Sequence, residues 1–280
     1  MDYSHSIGPI MKAARKFKKL NQADVADAIG CSQSALSKME HNLLVPSAPQ
    51  WFLFARFTSI PPESIETGVI DRHSKIKFNN DQVSMGFKLP KKYKSQRSEK
   101  VRELFPFLLY LERNHPELYK NFLLNTNIDA EFFLDFDNLI NFQLIIDTIQ
   151  FFIENKLYSN EIIEQIVVQG QNDVYWKNDT LNWKKFKTPA DVLQEYVNEQ
   201  SFFQNDFILK IKKDGYLALE YSPEYHLRQV LVPDSVIDYI NIYRRYSLEN
   251  LLARVLNFKV QVKLYEGPLN YLEARFDIAA

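Results

Sequence analysis

Gln33, Ser34, Ser37 and Lys38 fall within six consecutive residues and share one face if the segment is helical. Their types bind through hydrogen bonds and charge. A Gln amide donates and accepts at once, so Gln33 can pair bidentately with the N6 and N7 edge of an adenine. Lys38 can reach a guanine edge or a phosphate, while Ser34 and Ser37 reach less far. Gln22, at the start of the preceding element, is placed to hold a phosphate and to brace Gln33. With Ser32 and Asn42 at the two ends of the segment, these residues form a candidate set of nucleic-acid contacts. The competing reading is that they only solvate a helical bundle used for protein contacts.

The flanking sequence supplies the elements that would position them. Ile7, Ile10, Met11, Ala14 and Phe17 recur at helical spacing, with Lys12, Arg15, Lys16, Lys18 and Lys19 around them. Asn21 is a favourable N-cap for a second helix, Gln22 to Ile29, with Val25, Ala26 and Ile29 inward. Gly30 can end that helix in a left-handed conformation, and Ser32 caps a third, Gln33 to His41, whose Leu36 and Met39 face the core. Two short helices joined around a glycine describe a helix-turn-helix. A fourth helix from Ala48 to about Phe57 and a fifth from Pro62 complete a small five-helix unit.

The run from Leu20 to Glu40 closely resembles the phage repressor/Cro (XRE-type) DNA-binding family. Gln22, Ala26, Gly30, Ser32, Leu36 and Glu40 stand where that family's pattern puts such residues. The resemblance covers about residues 7–68, and it implies an ion pair between Arg15 and Glu40 tying the first helix to the end of the recognition helix. One departure follows that helix: a Gly is usual two residues after the Glu, and here the run is Glu40-His41-Asn42-Leu43. Asn42 can take the left-handed turn at some cost relative to Gly. Cys31 sits in the inter-helix turn, where a buried small side chain and a redox-sensitive thiol are both conceivable.

Charge is distributed unevenly. Residues 1–100 carry 16 Lys and Arg against 9 Asp and Glu, whereas residues 101–280 carry 18 against 26. The basic excess concentrates at 71–101, which reads as a linker whose Lys91, Lys92, Lys94 and Arg97 could contact phosphates. A solvated spacer is the alternative.

Beyond it, helices are expected at Phe105 to Leu124 with an interruption near Pro116, at 138–156, at Glu161 to Val168, and from Ala190 to about Phe203. The period then shortens. Segments 207–212 and 216–221 flank Lys213-Asp214-Gly215 as a hairpin, a long helix spans Ser235 to Leu256, and strands follow at 258–265 and 272–278. The element order loosely resembles the ligand-sensing halves of some bacterial one-component regulators, including certain arabinose-regulator-like proteins. Aromatic residues crowd 132–207, Phe132, Phe133, Phe151, Phe152, Trp176 and Trp183 among them. They fit a core, an interface or a pocket.

The expected fold is an all-α five-helix N-terminal helix-turn-helix domain, residues 1–70. It is followed by the basic linker, 71–101, and a larger α+β C-terminal domain with an antiparallel sheet, 102–280. The seven glycines form no phosphate loop, and Cys31 is the only cysteine. In the C-terminal part, His115 and His226 are far apart, and no Ser nucleophile elbow occurs. No catalytic residue, metal or cofactor is therefore expected. Nor is a membrane span, because no run of about 18 apolar residues exists. The expectation is a cytoplasmic transcriptional regulator that binds double-stranded DNA as a homodimer, with a C-terminal domain sensing a small molecule or partner. The alternative is a protein-interaction adaptor, or a peptide-responsive regulator, acting through that C-terminal domain.

Overall fold

The computed structural model describes residues 7–72, 86–94, 97–170, 183, 185–200, 207–211, 217–221, 232–257, 261–265 and 274–279. Five helices come first: α1 (Ile7–Phe17), α2 (Gln22–Ala28), α3 (Gln33–Glu40), α4 (Ala48–Thr58) and α5 (Ser64–Thr67). Ile10, Met11, Ala13 and Ala14 of α1 are buried, and Val25, Ala26, Leu36 and Met39 meet them. Local capping fixes the boundaries. Ser47 and Gln50 form a reciprocal capping box at the start of α4, and Trp51 donates its indole N–H to the Pro62 carbonyl at 3.0 Å, holding α5 in place.

The segment read as a linker is packed against the body in its described parts. Phe87, Leu89 and Tyr93 are buried, Lys91–Lys94 forms a short helix (α6), and Arg97–Lys100 forms a strand, β1. That strand pairs antiparallel with β2 (Leu139–Asn141). The stretch 138–156 is therefore not one helix. Asn141 leaves the strand with an extended backbone and caps α9 (Phe142–Glu154), its side chain accepting from Leu144 N–H. Helices α7 (Phe105–Asn114) and α8 (Pro116–Thr126) break at His115, as the proline requires.

Helix α10 (Asn160–Gly170) lies across α7, and Gly170 permits the approach. A Cβ there would stand 2.4 Å from the Pro106 Cβ. After α11 (Pro189–Gln200) comes the hairpin β3 (Phe207–Ile211) and β4 (Leu217–Tyr221). The long helix α12 (Asp234–Leu256) leads to β5 (Gln261–Tyr265) and β6 (Ala274–Ala279). The four strands make an antiparallel sheet of order β3-β4-β6-β5. The expected fold class holds: a helical N-terminal unit followed by a mainly helical α+β part with antiparallel strands. Many of the aromatics are core. Phe107 meets Phe152 edge to face and Tyr243 at a tilt, and Tyr239 donates its hydroxyl to the Leu157 carbonyl at 3.1 Å. Trp176 and residues 201–206 and 222–231, His226 included, lie outside the described residues, as do the side chains of β3 to β6.

The N-terminal unit is clamped to the body. Helix α1 faces the short 3-10 turn Ala130–Leu134; Lys12 pairs with Glu131, and Lys16 reaches Asp129 at 2.7 Å. Ile70 joins the body through backbone bonds to Leu134 and Phe136. Arg72 then places its guanidinium 2.8 Å from the Asp135 carboxylate and its ring-facing side over Phe17. Lys100, 2% exposed, pairs with Asp137 at 2.7 Å, and Arg102 pairs with Asp71. Full burial pushes the Asp135 carboxyl up to about 6, against the opposing pull of Arg72.

Candidate nucleic-acid interface

The start of α2 is set by Asn21, whose side chain accepts from Asp24 N–H at 2.8 Å. Gly30 follows α2 at φ +69°, and the Cys31 N–H returns to the Ala26 carbonyl, closing the turn. Ser32 caps α3 by accepting from Ala35 N–H at 3.1 Å. Its hydroxyl is thus committed to the helix, while its residue stays exposed. Burial pushes the Cys31 thiol up, which lowers its thiolate fraction and disfavours oxidation at this turn.

With Leu36, Met39 and Glu40 buried, α3 leaves Gln33, Ser34 and Lys38 exposed and Ser37 half-buried on the opposite face. The face is held rigidly from behind. Glu40, 3% exposed, accepts from Arg15 at 2.5 and 2.8 Å and from the Gln22 amide at 2.9 Å. Arg15 also donates to the Leu20 carbonyl. The N-terminus of α2, the C-terminus of α1 and the end of α3 are therefore one hydrogen-bonded unit.

Two side chains serve differently from the sequence reading. Gln22 gives its amide N–H to Glu40 and does not brace Gln33, because the carboxylate lies within reach and offers the stronger acceptor. Asn42 adopts φ +57°, the left-handed turn, and its Oδ1 accepts from Gly8 N–H at 2.9 Å. The missing glycine is compensated by a cap on α1. Gly8 is needed there, since a Cβ would meet the Met39 carbonyl at 2.4 Å.

Lys91 and Lys94 are exposed on α6, whereas Lys92 pairs with Asp147 at 2.8 Å beside the Tyr93 hydroxyl. Arg97 is half-buried in β1, and desolvation pulls its guanidinium pKa down. The sequence reading missed a further feature of this domain. Helix α4 exposes Phe52, Leu53 and Phe57, and Leu43, Leu44 and Val45 are exposed just before it. Its signal was visible in Trp51-Phe-Leu-Phe-Ala-Arg-Phe57, which is apolar on more than one helical face. Among the described residues no cluster of His, Cys, Asp and Glu could hold a metal ion, and no helix is long and apolar enough to cross a membrane.

The geometry is that of two capped helices presenting one polar, solvent-facing helix, and residues 11–65 match the family model described as helix-turn-helix. Those residues belong to the XRE-type helix-turn-helix family. The match supports a DNA-binding transcription regulator. No curated protein matches the chain. Among solved structures, an Fe(II) unliganded H-NOX protein mutant from K. algicida is similar at 13% identity and a TM-score of 0.46. That likeness covers 64% of this chain and 95% of the other. The helix-turn-helix domain places Gln33, Ser34 and Lys38 together on its outward face, with Ser32 at one end and Asn42, exposed but bonded to the Gly8 N–H, at the other.

Proposed function

We propose that this protein is a sequence-specific regulator that reads DNA with α3 as a homodimer, and that its C-terminal α+β part senses a small molecule or protein partner. The observation that carries the reading is the division of α3. Its inner face is fixed by Leu36, Met39 and the Arg15–Glu40–Gln22 bonds, so the outward Gln33, Ser34 and Lys38 are held ready for a major groove. Gln33 serves as the base reader and Lys38 as a phosphate or guanine contact.

A single helix-turn-helix covers little DNA, and two-fold dimers on palindromic sites are the usual solution. The clamp between α1 and the 129–137 segment supports the sensing part of the proposal. A head bound to the body through Lys12, Lys16 and Arg72 moves with it, so an effector that prefers one arrangement of the bodies changes the spacing of the heads. The reading predicts no catalytic role for the body.

Selection of bound sequences from a random DNA pool, with the full chain, tests it. The expected result is a pair of inverted half-sites about 34 Å apart or a multiple of that. No enrichment, with or without cell extract as a source of effector, sinks the proposal.

A further inference from the structure

We infer that His41, at the end of α3, is a proton-linked phosphate contact, so that the protein holds DNA more tightly as the imidazole gains its proton. That assignment rests on the reading of DNA by α3 proposed above and adds a regulation to it. Ser34, Ser37, Lys38 and His41 stand at positions i, i+3, i+4 and i+7, one stripe of the helix. It is the stripe opposite the buried Leu36 and Met39. His41 is exposed there as the C-cap of α3, and its Nδ1 lies 2.7 Å from the Ser37 carbonyl oxygen one turn back. A carbonyl oxygen only accepts, so Nδ1 carries a hydrogen in both charge states of the ring. The proton that comes and goes is therefore the one on Nε2, across the ring from that carbonyl. Neutral, Nε2 has only a lone pair to offer a phosphate. Protonated, it is an N–H donor bearing charge.

The charges around the ring leave that proton to an outside anion. On α3 itself, Lys38 is exposed and Glu40 is buried, its carboxylate taken by Arg15 of α1 and Gln22 of α2. Helix α1 otherwise meets this end through Gly8, whose N–H goes to Asn42, and its Lys12 is paired with Glu131. Asp24 and Asp27 of α2 are exposed, and residues 43–49, which lead into α4, carry no charge. Among the described residues no acid pairs with His41. A phosphate drawn to Lys38 on the same stripe gains a charge-assisted bond from the imidazolium and none from the neutral ring. Linkage sets the sign: DNA binding takes up a proton, so affinity falls as pH rises. A cap that only satisfies the Ser37 carbonyl gives DNA affinity no such dependence.

Fluorescence anisotropy of the full chain at constant ionic strength, at about pH 5.5 and about pH 7.5, tests this with wild type, His41→Gln and His41→Lys. The probes are a mixed-sequence duplex of a few helical turns and the duplex selected in the experiment above. Over that interval wild-type affinity is expected to fall by about tenfold more than that of His41→Gln. His41→Lys, charged throughout, should fall no more than His41→Gln does. Asp135, whose carboxyl lies at about 6, and the other histidines titrate in all three proteins and cancel in the comparison. The ring is exposed, and urea midpoints at both pH values check that the variants are folded. Parallel pH dependence in wild type and His41→Gln overturns the inference. So does a neutral His41 ring that carries its hydrogen on Nε2, read from the nitrogen shifts of the free chain by NMR. Proton linkage on the mixed duplex with no sequence selected supports the contact and removes the reading of bases; selective binding with parallel pH dependence does the reverse. No binding to either duplex removes both.

Discussion

Arg15 and Glu40, twenty-five residues apart, meet in two hydrogen bonds of 2.5 and 2.8 Å, with the carboxylate buried and the guanidinium nearly so. The pair joins the helix that docks on the body to the helix that presents Gln33. Its integrity therefore bears on both stability and reading.

Glu40→Ala should destabilise the chain by about 3–5 kcal/mol, because it leaves Arg15 charged and unpaired in a largely buried position. It also removes the acceptor of the Gln22 amide. Exchanging both partners, Arg15→Met with Glu40→Met, should recover most of that loss, since two apolar side chains of similar length leave no orphaned charge. Urea unfolding of the three proteins measures both effects. A Glu40→Ala chain with the wild-type midpoint would show that the pair is incidental.

Gln33→Ala should act on DNA and not on folding, because the residue is exposed and bonds to no described neighbour. The expected loss is about 1–3 kcal/mol on the selected site, with relaxed preference at one base pair and little change on random DNA. Titration against the site, its single-base variants and random duplex decides it. Equal losses on all three would move Gln33 from base reading to phosphate contact.

The helix-turn-helix was legible because its determinants are local. Asn21, Ser32 and Ser47 cap helices beginning one residue later, and Gly30 turns the chain between α2 and α3. What escaped depends on contacts distant in sequence. Lys100 counts as a solvated linker charge until Asp137 is seen beside it, and β1 has no alternating pattern of its own without β2. The Gly8 bond to Asn42 spans thirty-four residues, and the departure from glycine at that turn was its only trace. Helix α9 was read too long because Leu139 and Ile140 continue its apolar run, although Asn141 is a cap.

The clamp at Asp135 should give stability a pH dependence of unusual sign. Its folded pKa of about 6 lies above the ordinary 3.8, so the native chain holds a proton there that the unfolded chain has released. This group's contribution is complete below about pH 3.8 and is lost as pH rises through about 6. Asp135→Asn carries no such proton. Its stability relative to wild type should therefore rise between those limits, by at most about 1.4 kcal/mol per pH unit. Asp147, held below its usual range by Lys92 and Tyr93 against the desolvation that raises it, contributes in the opposite direction in both proteins and cancels in the difference. A difference that stays flat would mean that Asp135 is ionised throughout.

Position, more than charge count, separates the basic residues between the two parts. Lys91 and Lys94 are exposed on α6 and pair with no described acid, so they are free to follow a phosphate backbone. Replacing both by Ala should weaken binding to all sequences alike and reduce the slope of log affinity against log salt by about 2, one for each lost phosphate contact. Unfolding should be unaffected. Lys100→Ala should behave in the opposite way: Asp137 would lose its buried cation, stability would fall by about 3–5 kcal/mol, and the salt slope of the chain that remains folded would stay unchanged. Fluorescence anisotropy on a non-specific duplex at several salt concentrations, beside urea unfolding of the same samples, distinguishes the two. If the Lys91 and Lys94 replacements leave the slope where it was, DNA does not pass this segment, and α6 serves only to fix Tyr93 against Asp147.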